Sequence, residues 1–181
     1  MKKYELTSET KIVFGHILYR IKALSSFGCV SAGDLGGFLE SEKNLSQNGN
    51  AWVYGNAEVY GNAEVYGNAE VSGNAEVYGN AEVYGNAEVS GNARVSGNAE
   101  VSEIGAIFWI GAIGSRNDTA TFFRCRDGSI KVVCGCFFGN LDEFAKKVRK
   151  THGDNDHAKV YMLAIEMAKI RIGDKKEKTE E

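Results

Sequence analysis

Proline is absent from this chain of 181 residues, so its turns must rest on the 22 glycines instead. No apolar run reaches the roughly 18 residues that a membrane-spanning helix requires. The opening Met1-Lys2-Lys3-Tyr4-Glu5 has no apolar stretch behind its lysines, which argues against a secretory signal and leads us to expect a cytoplasmic protein. A charge excess is lacking too: 21 Lys and Arg against 24 Asp and Glu give a net −3. That excludes a globally basic nucleic-acid binder, and no direct nucleic-acid binding is expected. Cysteine is scarce, with Cys29, Cys125, Cys134 and Cys136 the whole set. Without a signal these are expected to stay reduced. Cys134-Gly135-Cys136 has a one-residue spacer and no second pair, whereas zinc ligand pairs are usually two to four residues apart. We therefore expect thiols on a strand, with no metal and no cofactor.

What is abundant is repetition, the first thing to settle in any sequence. Gly-Asn-Ala occurs nine times, at six-residue intervals from Gly49 to Gly97, and each copy is followed by a valine, from Val53 to Val101. On an α-helix a six-residue period scatters those valines around the cylinder, and Gly-Asn in every unit opposes helix formation. A short strand fits every position. Ala and Val, two apart, share one side, and the Glu between them and the Tyr or Ser after Val point away. Gly-Asn turns the corner, since both residues tolerate positive φ. With three strands per coil the period is 18 residues, and nine units make a rod ~15 Å long at the spacing of β-strands.

The pattern resembles the left-handed parallel β-helix of hexapeptide-repeat proteins. The handedness comes from that resemblance alone, because the general rule for parallel crossovers favours the right hand. An 18-residue coil stacks Val53, Val71 and Val89, and likewise Val59, Val77 and Val95. Outside, Tyr60 falls on Tyr78 and Tyr66 on Tyr84, while Tyr54 shares a face with Ser72 and Ser90. Glutamates form ladders: Glu64, Glu82 and Glu100; Glu58 and Glu76 with Arg94; Glu70 and Glu88. Seven glutamates and one arginine give segment 49–101 a charge of −6, leaving +3 on the remainder. Like charges ~5 Å apart repel unless something meets them. Exposed aromatic stripes mark interfaces, and hexapeptide helices commonly trimerise side by side. Tyr54, Tyr60, Tyr66, Tyr78 and Tyr84 are therefore candidate interface residues of a homotrimer.

A solenoid needs covered ends. Residues 1–48 are read as an N-terminal cap: a hairpin over Lys11–Ile21 turning near Gly15, then an irregular first coil over 28–48, where Leu39 and Leu45 keep the six-residue spacing. Residues 49–103 form the repeat. From 104 to 173 we expect a β-β-β-α-α domain. Its strands are Ile107–Ile110, Thr119–Arg126 and Ile130–Cys136, with an Asp127-Gly128 hairpin turn. Asn140 caps a first helix with Glu143 at the third position, and Leu141, Phe144, Ala145 and Val148 form its apolar face. Gly153 ends it. A second helix starts near Asp154 or Asn155, with Ala158, Tyr161, Met162, Ile165 and Ile172 inward. Residues 174–181 read as a disordered charged tail. The fold class is thus mainly β, a three-strand-per-coil β-helix with an N-terminal β cap and a small C-terminal α+β domain.

Two polar clusters could bind a ligand. Gly114-Ser115-Arg116-Asn117-Asp118-Thr119 joins two strands, and a glycine-led loop of this kind can hold an anionic or ribose-bearing group. His152-Gly153-Asp154-Asn155 opens the second helix, another place for an anion. Both also read as ordinary turns, where these residue types serve the backbone. The candidate ligand residues are Ser115, Arg116, Asp118, Thr119, His152, Asp154 and Asn155.

Over its length the chain resembles a group of phage- and prophage-encoded hexapeptide-repeat proteins, often described as polymer-forming or cytoskeletal-like. The resemblance is carried by Tyr19-Arg20-Ile21, Gly33-Asp34-Leu35-Gly36-Gly37-Phe38, Asn44-Leu45-Ser46, Ile113-Gly114-Ser115-Arg116, Phe122-Phe123, Leu141-Asp142-Glu143-Phe144 and Thr151-His152-Gly153-Asp154-Asn155. It implies an accessory protein in a bacterial host cell, one that counters host defence by binding a host protein or sequestering a nucleotide signal. No catalytic residue is implied. Hexapeptide acyltransferases use a histidine base on a coil or extruded loop, and gamma-class carbonic anhydrases bind zinc through coil histidines. Here no histidine lies between Gly49 and Val101. A self-assembling scaffold is the other reading, as is mimicry of DNA by the acidic ladders.

Overall fold

The structure, a computed structural model, describes residues 2–173, so the expected charged tail lies outside the described residues. The chain divides into two compact units with the boundary between Ile104 and Gly105. Among the described residues no helix is long and apolar enough to cross a membrane.

In the first unit β1 (Tyr4–Val13) and β2 (His16–Ala23) form the expected hairpin, turning at Phe14-Gly15 but longer at both ends. β3 (Leu35–Leu39) pairs antiparallel with β2 on one side. After it come nine strands of two residues each: β4 (Trp52–Val53), β5 (Glu58–Val59), β6 (Glu64–Val65), β7 (Glu70–Val71), β8 (Glu76–Val77), β9 (Glu82–Val83), β10 (Glu88–Val89), β11 (Arg94–Val95) and β12 (Glu100–Val101). Each pairs in parallel with a strand eighteen residues away, as in Val53↔Val71↔Val89 and Val65↔Val83↔Val101. The product is a parallel stacked-coil β-solenoid.

A two-residue strand cannot hold itself, so its backbone groups are satisfied by the neighbouring coils. Glu58 N–H donates to the carbonyl of Ala75 at 2.9 Å, and Glu76 N–H to that of Ala93 at 3.0 Å. Every repeat alanine and valine is at most 1% exposed. Burying such a valine contributes ~1.5–3 kcal/mol. The small alanine lets the coil close around it. At the corners the repeat glycines have φ between 60° and 74°. A Cβ on Gly49 would lie 2.5 Å from the carbonyl oxygen of Gly67, so the corner needs glycine for space as well as conformation. The asparagine beside it bonds up the stack: Asn50 Nδ2 donates to Asn68 Oδ1 at 3.2 Å, and Asn68 to Asn86 at 3.1 Å.

The irregular first coil joins the stack through Leu39 and Leu45. Leu39 pairs in parallel with Val59, and Leu45 bridges to Val65. The offset is twenty residues here, not eighteen, and the two extra fall between Leu45 and Val53. Because β3 pairs with both β2 and β5, one sheet runs β1-β2-β3-β5-β8-β11, and the hairpin extends a ladder of the solenoid. Trp52, buried, meets Tyr4 and Phe27 edge-on at centroid distances of 6.0 and 5.4 Å.

The second unit is an antiparallel meander, β13 (Ile107–Ile113), β14 (Asp118–Arg124), β15 (Ile130–Cys134) and β16 (Phe137–Asn140), followed by α1 (Leu141–His152) and α2 (Asp156–Ile172). Four strands stand where the sequence reading expected three. Ile130–Cys136 is not one strand: Gly135, at φ 58°, turns the chain at Cys136, and Phe137 starts a strand paired to β15. Asn140 both ends that strand and caps α1, its Oδ1 accepting from Glu143 N–H at 2.8 Å while Glu143 accepts from Asn140 N–H at 2.8 Å. Phe122, Val132, Phe144, Val148, Tyr161 and Ile165 form the core between helices and sheet.

Lys11 of the hairpin pairs with Glu58 at 2.6 Å, on the ladder that continues through Glu76 to Arg94. Burial and the neighbouring Glu58 raise the Glu76 carboxyl above its usual range, with Arg94 and Lys11 opposing. A raised carboxylate favours folding only at low pH, and that contribution is lost as pH rises through the folded-state value. Ionised Glu76 therefore costs stability at neutral pH. Glu76→Gln should stabilise the protein by about 0.5 kcal/mol at pH 7, and the gain should vanish below about pH 4. Urea unfolding of both proteins at the two pH values checks this, and an equal gain at both would contradict it.

Candidate functional site

At one end of the C-terminal meander two turns lie beside α1. The β13–β14 turn carries Gly114 to Asn117, with Gly114 at φ 72° and Asn117 at φ 51°. The β15–β16 turn carries Gly135 and Cys136. Between them and the face of α1 bearing Phe144, Lys147, Val148, Thr151 and His152 is a recess of about 370 Å³, with Tyr161 of α2 also in its wall. Such a volume is within the range of small-molecule sites.

Four of the seven candidate ligand residues meet here: Ser115, Arg116, Asp118 and His152. The other three do not. Thr119 is buried on β14, where its N–H donates to Asp118 Oδ1 at 2.7 Å. Asn155 caps α2, accepting from Ala158 N–H at 3.1 Å. Asp154 lines a different groove, with Arg149 and Lys159. Nine further residues of the recess were not anticipated as ligand contacts, among them Cys134, Cys136, Phe137, Lys147, Thr151 and Tyr161. Helical spacing held a signal for two of them. Phe144 and Val148 were read as the inward stripe of α1, and Lys147 and Thr151, four apart, follow on its flank.

The charges converging on the recess are mostly positive, from Arg116 and Lys147, with Asp118 opposing them. Aromatic surface is present as well. The His152 and Tyr161 rings lie 5.8 Å apart at 28°, and Phe137 and Tyr161 each pack on Phe144. Burial and the adjacent Cys134 thiol push the Tyr161 hydroxyl up to about 12, with Asp118 adding and Arg116 opposing. It stays protonated at neutral pH, donating to the Ile113 carbonyl at 3.5 Å and accepting from Cys134 Sγ at 3.8 Å. Tyr161 is thus a fixed wall and hydrogen-bond donor.

The repeat tyrosines have different surroundings. Tyr60 points out of its coil, but with Leu18 and Phe38 it forms a small buried cluster, and it is only 5% exposed. The hairpin covers it, and Tyr78 stacks on it at 5.3 Å and 5°. Tyr66 and Tyr84 stack at 4.9 Å and 2°. Their hydroxyls donate to Glu82 and Glu100, which supplies the partner that the acidic ladder needs. Burial and that bond to Glu82 push the Tyr66 hydroxyl up to about 12. Tyr54 is half-buried.

Of the free cysteines, Cys125 is buried and Cys29 and Cys136 are exposed. Among the described residues no three His, Cys, Asp or Glu side chains gather as a metal site. No family model matches the chain, and no curated protein matches its sequence.

Gly114 holds the recess turn against Tyr161: a Cβ there would collide with the tyrosine hydroxyl. Gly114→Ala should cost about 3 kcal/mol, from left-handed strain and overpacking together. Gly128→Ala, at φ 77° with open space around it, should cost about 1 kcal/mol from strain alone. Urea denaturation measures both, and equal losses would contradict the packing assigned to Gly114.

Proposed function

We propose that this chain is a non-catalytic binding protein whose C-terminal unit takes a small phosphate-bearing aromatic ligand of nucleotide type. The observation that carries the reading is the convergence of Ser115 and Arg116 with His152, thirty-six residues further along the chain, in one recess that also receives Lys147. Arg116 offers the planar fork that pairs with phosphate through two parallel bonds, and Lys147 a second cation. Ser115 and Thr151 add hydroxyls. Phe137, His152 and Tyr161 supply ring surface against which a base can lie. The recess is sized for a nucleotide-like molecule and holds a single acid, Asp118.

The first unit is proposed to be a three-sided, left-handed coil that carries this binding unit. Repeats every six residues with strand pairing at eighteen support the three sides; the hand rests on the resemblance to hexapeptide-repeat proteins. In the bacterial cytoplasm implied by the likeness to phage accessory proteins, such a recess would act by withdrawing a nucleotide signal from its receptor. A nucleotide held without turnover suffices for that role.

Isothermal titration against linear and cyclic nucleotides, with inorganic phosphate alongside, tests the reading. At least one nucleotide should bind with one site per chain. Arg116→Ala should weaken it about 10- to 100-fold, the value of a charged hydrogen-bond pair. Silence across the set would remove the proposal, and binding unaffected by both Arg116→Ala and Lys147→Ala would move the site elsewhere.

A further inference from the structure

Cys134 and Cys136 have no part in the binding proposed above, yet both border the recess. Cys134 ends β15 and pairs with Phe137 across the two-residue loop Gly135-Cys136. Cys136 is exposed and Cys134 half-buried. Gly135, at φ 58°, bends the chain between them. Two steps between consecutive Cα atoms around such a bend span roughly 5.5–6.5 Å, within the range that a disulfide bridges. The other two thiols are placed differently. Cys125 is buried, and burial with Asp127 beside it pushes its thiol up, which keeps it protonated and inert. Cys29 is exposed in the first unit, with no second cysteine near it in sequence.

We propose that Cys134 and Cys136 form a thiol–disulfide exchange site for small anionic disulfides of the glutathione type. The Cys136 thiolate attacks one sulfur of the small disulfide, whose S–S bond breaks. One half leaves as a thiol, taking up the proton that Cys136 gave away, and the other stays on Cys136 as a mixed disulfide. The Cys134 thiolate then attacks the Cys136 sulfur, and the second half leaves as a thiol in the same way. Two protein thiols are thereby oxidised to a Cys134–Cys136 disulfide, and one small disulfide is reduced to two thiols. Arg116 and Lys147, in the wall of the same recess, meet the carboxylates of the incoming molecule.

An accessible thiol with a resolving partner beside it is the arrangement of a redox sensor. A bridge across one residue closes a short, strained loop, and strained disulfides are the readily reduced ones. The pair therefore rests as thiols in a reducing compartment and is oxidised only when small disulfides accumulate. Oxidation removes the S–H through which Cys134 meets the Tyr161 hydroxyl at 3.8 Å, so the redox state registers in the recess wall. The exchange requires neither nucleotide nor phosphate, and it stands or falls separately from nucleotide binding.

The test mixes the reduced full chain with excess glutathione disulfide, quenches with acid at intervals, alkylates, digests and weighs the cysteine peptides. The peptide carrying residues 134 and 136 should lose two hydrogens, and excess reduced glutathione should restore them. Cys134→Ser should halt at a lasting glutathione adduct on Cys136, and Cys136→Ser should slow modification of Cys134 at least about 10-fold. Arg116→Gln with Lys147→Gln should slow the reaction with glutathione disulfide about 10-fold while leaving that with uncharged hydroxyethyl disulfide unchanged. Residues 134 and 136 that stay as thiols, or a glutathione adduct that persists on Cys136 of the unaltered chain, would overturn the exchange site. A rate with glutathione disulfide that the double glutamine variant leaves unchanged would overturn the part assigned to the cations.

Discussion

The hydrogen bonds between strands paired at an eighteen-residue offset set the terms for the solenoid. Strands of two residues have almost no stability of their own, so Glu58 N–H finds its acceptor at Ala75, and Glu76 N–H finds its acceptor at Ala93. Once the coils are stacked at strand spacing, the rest of the repeat follows. Only small and branched apolar side chains fit the axis, hence Ala and Val. Only glycine fits a corner where a Cβ would strike the carbonyl of the coil beside it. The same stacking puts identical side chains in rows, which is favourable for asparagine and tyrosine and unfavourable for glutamate. Two of the three glutamate rows meet partners. Glu82 and Glu100 accept tyrosine hydroxyls, and Glu58 takes Lys11 from the hairpin.

The hairpin and the meander treat sequence differently. β2 continues the ladder that β3 opens, so the cap and the coils share one sheet order. The C-terminal unit is built from a sheet and two helices, and its function-bearing residues stand where turns meet a helix. Gly114 and Gly135, both in left-handed conformations, bring their turns to the recess, while α1 contributes a cationic flank above its buried stripe.

Periodicity made the solenoid legible, because Ala and Val two apart in every unit admit only a strand with one buried side. The hairpin at Gly15 and the Asn140–Glu143 cap were legible for similarly local reasons. β16 was not. Phe137 to Asn140 spans four residues, and its last residue doubles as a helix cap, so the helix signal masked the strand. The repeat tyrosines show a different limit. Tyr60 and Tyr66 occupy equivalent positions in their units, yet one lies under the hairpin and the other bonds to Glu82. What covers a side chain depends on a segment forty residues earlier, which no local pattern encodes. For the recess, sequence picked out Ser115, Arg116, Asp118 and His152 by residue type. Lys147, Thr151 and Tyr161 join them only through packing, and Asp154 and Asn155, chosen for the same local reasons as His152, face elsewhere.

The most direct measurement concerns the eighteen-residue pairing itself. In a chain whose four native cysteines are replaced by serine, cysteines at positions 64 and 82 sit on directly paired strands, a few ångströms apart at the spacing of β-strands. A short bifunctional thiol reagent such as dibromobimane should bridge them rapidly within one chain. Cysteines at 64 and 76, closer in sequence but on different ladders, should not be bridged. Ready bridging of 64 to 76, or none between 64 and 82, would contradict the stacked-coil account.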